Sequence, residues 1–295
     1  MPRIVSFLPA ATEIAFAIGA GSDLVGRSHE CDYPEEVKNL PVVSKPTLPI
    51  GEMSLEEIDR AVASQLASGE SLYKVDEVLL RQLDPDIVLT QDLCQVCAPS
   101  GNELGRALRE LPASPEVVWL TPRTLGEIRE NIGQIGRVTG RMAGADDVIA
   151  EFLARTATVA DAMRDVVPRR MVFLEWTEPP FCAGHWVPEM IAIAGGVDSL
   201  SQFGADSLRV TWEAITAASP EIIVVAPCGY GLQQSRTAAA GIPRLPGARI
   251  FAVDANAYFA RPGPRVAEGI ELLAHLFHPD RVAWPHAHRP WADVT

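Results

Sequence analysis

Apolar residues recur at spacings of three, four and seven through residues 145–167, where Ile149, Phe152, Leu153, Val159, Met163 and Val166 form one stripe. That period predicts a single amphipathic helix. Asp146 and Asp147 stand in its first turn and Pro168 at its end, which suits the helix dipole and the missing proline N–H. On both sides the pattern changes to short β-branched runs alternating with helical periods. Before the stripe, strands are predicted at 4–7, 24–26, 41–43, 86–90 and 117–120. Helices are predicted at 13–19 with Thr12 as cap, and at 55–66, 75–83 and 125–138. After it, strands are predicted at 171–176, 221–226 and 250–253, and helices at 188–194 and 265–277.

Strands alternating with helices belong to parallel α/β sheets. The predicted class is therefore α/β: two Rossmann-like lobes joined by one long backbone helix, with a ligand cleft between the lobes. Residues 1–144 form the N-terminal lobe, 145–167 the connecting helix, 168–279 the C-terminal lobe and 280–295 a tail. That tail carries His286 and His288 among prolines and tryptophans and reads as poorly ordered.

Composition narrows the function. A formal net charge of −13 with pI ≈ 4.9 argues against a nucleic-acid groove or an affinity for anionic lipid. No apolar run approaches the roughly 20 residues of a membrane span. The first strand begins directly after Met1-Pro2 in place of a secretory leader, so the expectation is a cytoplasmic protein, or a periplasmic or extracellular one if a leader was removed. An odd count of five cysteines fits reduced thiols rather than a disulfide scaffold.

In parallel sheets ligands bind beyond the carboxyl ends of the strands, and there the chemistry-bearing residues collect. Cys31, Cys94, Cys97, Cys182 and Cys228 all fall in predicted strand-end loops, with His29 and His185 among them. One reading is a thiol- and imidazole-lined cleft that binds a metal, a cluster or a metal-containing cofactor, Cys94-x-x-Cys97 having metal-ligand or redox spacing. The other is that small residues are tolerated in tight loops and the thiols never meet. Tyr33, Trp176, Phe181, Trp186, Tyr230, Tyr258 and Phe259 crowd the same loops, which suits a large, flat, mostly apolar ligand. Asp92, Glu178 and Arg261 are candidate polar contacts. Nucleophile elbow, P-loop, dinucleotide fingerprint and HExxH are all missing from the sequence, so the reading leans away from an enzyme.

Several segments resemble a known family. Residues 3–13 (RIVSFLPAATE), Asp32-Tyr33-Pro34, Leu83-Asp84-Pro85-Asp86-Ile87-Val88, Pro179-Pro180-Phe181 with Gly184, Gly195-Gly196, Ser219-Pro220-Glu221-Ile222-Ile223 and Tyr258-Phe259-Ala260-Arg261-Pro262-Gly263-Pro264-Arg265 are similar to the helical-backbone (class III) substrate-binding proteins of ABC importers. Within that class they resemble the cobalamin-binding proteins. The resemblance spans about residues 3–278. It implies a non-catalytic protein that clamps its ligand between two lobes with little hinge motion. It places Tyr258 and Phe259 on the corrin with Arg261 nearby. It also implies docking on a permease through one glutamate per lobe: Glu213 matches the second-lobe position, whereas the first-lobe position falls at Val78, beside Glu77.

The leading expectation is binding of a cobalamin-type corrinoid or related metal-tetrapyrrole, with His29 or His185 as an axial nitrogen. The alternative is an iron–sulfur or zinc protein in which Cys31, Cys94, Cys97, Cys182 and Cys228 hold the metal on a reused binding fold.

Overall fold

The computed structural model describes residues 1–50, 53–68, 70–91, 101–109 and 111–295, with the backbone alone for 101–103. The chain divides into two compact units. The first comprises 1–122 and 127–150, the second 123–126 and 151–295.

In the first unit the elements are β1 (Ile4–Ser6), α1 (Pro9–Ala17), β2 (Leu24–Arg27), β3 (Ser44–Pro46), α2 (Leu55–Ala67), β4 (Tyr73–Val75), α3 (Glu77–Leu83), β5 (Ile87–Thr90), α4 (Gly101–Arg109) and β6 (Glu116–Trp119). Two further helices, α5 (Leu125–Val138) and α6 (Met142–Ala162), carry residues of both units. Strands β2-β1-β5-β6 form an all-parallel sheet. All four residues of β5 are buried, as a parallel strand covered on both faces requires. Val5, Phe7, Val88, Leu80 and Leu104 pack into the core between strands and helices.

Local chemistry moves several predicted boundaries. Helix α1 begins at Pro9 rather than after Thr12, because proline supplies a ready-made first helical position. Thr12 lies inside the helix, where its hydroxyl donates to Cys31 Sγ at 3.0 Å. The run at 41–43 contributes only an isolated bridge, Arg27 to Val42, and the chain then pairs as β3 with β4 in a separate antiparallel hairpin. Helix α6 starts at Met142 and ends at Ala162, five residues short of the predicted end. Beyond it Val166 is held in a turn by Met163 O.

The second unit contains β7 (Arg169–Thr177), β8 (Pro180–Cys182), α7 (Val187–Ile193), β9 (Gly196–Val197), α8 (Trp212–Ala217), β10 (Ile222–Val225), α9 (Leu232–Gly241), β11 (Arg249–Val253), α10 (Ala255–Tyr258), α11 (Val266–Phe277) and β12 (Trp291–Asp293). Its sheet runs β12-β11-β10-β7-β8, with β9 pairing β7. The centre is parallel and both margins are antiparallel.

Two expectations fail here. The tail is not loose: β12 pairs with β11 through Val253–Trp291 and Phe251–Asp293. Trp284 packs between His286, Trp291 and Tyr258 at ring-centroid distances of 4.6, 5.7 and 6.3 Å, and this burial of large rings secures the segment. Cys182 is not in a loop but in β8, buried opposite Leu174.

Candidate functional site

At the carboxyl end of β2 in the first unit, the Arg27 guanidinium donates to Ser28 O (3.1 Å) and Cys31 O (3.0 Å), folding the following loop over the strand end. That fold buries Cys31 to 1% exposure. The His29 ring lies 5.6 Å from that of Tyr73, and its Nδ1 is 3.3 Å from Ser44 Oγ. Burial lowers the His29 pKa; the bond to Ser44 opposes the shift and Arg27 adds to it. Tyr33, 48% exposed, is the candidate ring that this loop presents to its surroundings. Asp92, Cys94 and Cys97 lie outside the described residues.

In the second unit the candidates separate into two groups. Trp176 closes β7 and Tyr230 follows β10, and the parallel register between those strands brings the rings to 5.8 Å. Phe181 stands opposite Trp176 across the β7–β8 pairing. Trp176 Nε1 donates to Glu178 O at 3.2 Å, so the indole keeps a fixed orientation. Burial pushes the Tyr230 hydroxyl pKa up. From Tyr230 a polar chain continues: Asn256 N donates to Tyr230 O at 3.0 Å, and Arg261 Nε donates to Asn256 Oδ1 at 3.0 Å. Trp176, Phe181, Tyr230, Asn256 and Arg261 thus form one connected surface of half-buried rings beside a fixed guanidinium. Exposed Cys228 stands two residues before Tyr230.

Trp186, Tyr258 and Phe259 form an interior group. They are 6%, 5% and 3% exposed. Trp186 Nε1 donates to Phe259 O (3.0 Å), Phe259 meets Phe173 edge-on at 5.2 Å, and Tyr258 Oη lies 2.7 Å from His288 Nε2. These rings hold α10 against the unit and thereby position Asn256 and Arg261.

His185 sits in the β8–α7 loop with φ 54°, a left-handed conformation unusual for a side-chain-bearing residue. Two backbone bonds fix it there: its N–H donates to Ala205 O (2.6 Å) and its carbonyl accepts from Gly204 N (3.0 Å). Nε2 lies 3.2 Å from Asp206 Oδ1, and Arg123 grips the same carboxylate oxygen at 2.9 Å. Burial lowers the His185 pKa against the opposing pull of Asp206, with Arg123 adding to the decrease. A neutral ring donating Nε2–H to Asp206 leaves the Nδ1 lone pair available. That is the carboxylate–imidazole arrangement that orients a metal-binding histidine.

Neither Asp206 nor Arg123 was legible as a site residue in the sequence. They are 83 positions apart, and no local pattern marks either.

Glu213 is exposed in the first turn of α8, where Thr211 caps the helix. Helix-start backbone bonding and Thr211 hold its carboxyl pKa down, so it remains an anion.

Among the described residues, no group of three or more histidines, cysteines, aspartates or glutamates could hold a metal ion. The iron–sulfur and zinc reading is therefore not supported. Cys31 serves as an acceptor inside a loop, Cys182 is buried in a strand, and burial raises the Cys182 thiol pKa away from the thiolate that a cluster needs.

The profile of the family described as periplasmic binding protein matches residues 4–249. The chain belongs to that family. Its relatives include the vitamin B12-binding protein of Vibrio cholerae serotype O1, 24% identical over 278 residues that cover 92% of this chain and 87% of the relative. Among solved structures, a periplasmic heme-binding protein from Roseiflexus sp. RS-1 superposes with TM-score 0.69 at 24% identity, covering 94% of this chain and 98% of that one. The periplasmic vitamin B12 binding protein of Vibrio cholerae superposes with TM-score 0.62 at 21% identity, covering 92% and 95%. These likenesses show the two-lobe α/β fold of the periplasmic binding proteins and a ligand-binding role for the family. The expectation of a cytoplasmic protein finds no support in them, since both solved relatives are described as periplasmic.

Proposed function

We propose that this periplasmic binding protein captures a metal-bearing tetrapyrrole of the cobalamin or heme type outside the cytoplasmic membrane and delivers it to an ABC permease. The observation that carries the reading is the Trp176–Tyr230 ring pair with Phe181 beside it. Such rings offer a flat ligand a large contact area with little conformational entropy to lose. Arg261, fixed through Asn256, supplies a cation for peripheral carboxylates or amides. His185 supplies the axial nitrogen through Nδ1. Trp186, Tyr258 and Phe259 act by fixing the Asn256–Arg261 segment, and Glu213 is the anionic docking residue toward the permease.

Absorption titration of the purified chain with hydroxocobalamin, and separately with hemin, tests this reading. One of the two should bind at 1:1 with a changed visible spectrum. Tyr230→Ala should weaken that binding about tenfold, the effect of removing a stacking ring worth roughly 1.4 kcal/mol. His185→Ala should retain binding while altering the metal-sensitive bands. If neither ligand binds at micromolar protein, the proposal is overturned.

A further inference from the structure

The chain has only three lysines, Lys38, Lys45 and Lys74, in a sequence of net charge −13. Lys38 is neutralised by Glu35 at 2.8 Å. The other two are direct cross-strand partners in the β3–β4 hairpin of the first unit. Like charges placed opposite each other across an antiparallel pair destabilise it, and neither lysine makes an ion pair among the described residues. Both line a groove of about 570 Å³, within the range of small-molecule sites, whose wall also includes Arg106.

The acids in that wall form no ion pair with the two lysines. Asp76 accepts from Leu79 N as the cap of α3, and Glu77 is engaged by Arg106 Nε at 3.1 Å. Val42 and Val78, 39% and 63% exposed, add an apolar strip to the same groove. The wall therefore offers two ammonium groups without ion-pair partners, and an excess of positive over negative side chains, beside apolar surface.

We propose that this groove of the first unit is a second ligand site, and that it takes a small organic dianion of phosphate or dicarboxylate type with an apolar body. The anion bridges Lys45 and Lys74 and relieves their repulsion, and the body lies over Val42 and Val78. Lysines on short exposed strands also serve to discourage edge-to-edge pairing between molecules, and the test separates that role from binding.

Isothermal titration of the full chain at low salt, with phenyl phosphate, inorganic phosphate and succinate, provides the test. Phenyl phosphate or succinate should bind saturably, phenyl phosphate more tightly than inorganic phosphate, with affinity falling as salt is raised. Replacing each lysine by glutamine should weaken binding about fivefold, the upper end for one exposed ion pair, while Lys38→Gln leaves it unchanged. Thermal unfolding should confirm that the variants remain folded. Absence of saturable binding at millimolar anion, equal binding by the Lys45→Gln/Lys74→Gln variant, or increased aggregation of that variant without altered binding overturns the proposal. None of these outcomes bears on the tetrapyrrole titration.

Discussion

A single missing side chain holds the His185 loop in place. A Cβ on Gly184 would lie 2.3 Å from Ser207 N and 2.9 Å from Ser207 Cα, contacts with backbone that a rotamer change cannot relieve. The 204–208 segment lies this close because Ser207 Oγ donates to Cys182 O at 2.6 Å and Cys182 N donates to Leu208 O at 3.0 Å. Gly184→Ala should therefore cost about 2 kcal/mol, the scale of an overpacked site, measurable by chemical denaturation. Asp206 lies in the displaced segment, so the variant should also disturb the His185 ring. At this scale the sequence was readable wherever position alone set the role. Trp176 and Tyr230 stand 54 residues apart and were grouped only because both lie at or just past strand ends; that β7 and β10 are neighbours is seen in the structure alone. Cys31 and Cys182 misled, because a loop cysteine and a buried cysteine look alike until the backbone around them is known.

Elements held by charge make a separate prediction. Arg155 on α6 reaches α11 with a bidentate grip on Glu271, at 2.8 and 2.7 Å, and its charge is shared with Glu268 and Glu151. Arg155→Ala should cost about 2 kcal/mol, the range for partly buried hydrogen bonds between charged groups, seen as a lower urea midpoint. Arg155→Lys should recover only part of it, since an ammonium cannot make the planar double contact. Deleting residues 280–295 would remove β12 and the His288 contact to Tyr258. We expect a lower melting temperature and looser Asn256–Arg261 positioning, read as weaker ligand binding.

The predicted helix 125–138 coincides with α5, and most central strands lie within a residue or two of their predicted bounds, because their apolar runs are continuous. Helices α8 and α9 went unread. The six residues of α8 are too few to establish a period, and α9 (LQQSRTAAAG) has small and polar residues where an apolar stripe would otherwise stand. Strands β8 and β12 were missed because Pro179-Pro180 and the proline-rich tail read as breaks; both strands instead lie at the antiparallel margins, where proline is tolerated.

For the whole molecule, pH sensitivity follows from the two histidines whose pKa values burial lowers, His29 in the first unit and His185 in the second. Each has a folded pKa below its ordinary value of 6.5. Above that value neither state binds the proton and the full stability is present. As pH falls below 6.5 the unfolded chain takes up protons that the folded chain resists, so stability declines until the folded values are passed. The decline is at most about 1.4 kcal/mol per pH unit for each histidine. Urea unfolding at pH 7.5, 6 and 5 should show it, and His185→Gln should reduce the slope.

Strand β12 has a consequence for biogenesis. Its partner β11 is complete at residue 253, yet the covering strand begins only at Trp291. Until residues 291–293 dock, β11 therefore keeps its outer row of amide and carbonyl groups bare, wherever the chain folds. Uncovered strands of this kind recruit other chains. Chains cut short before Trp291 should be the ones that chaperones hold and proteases clear.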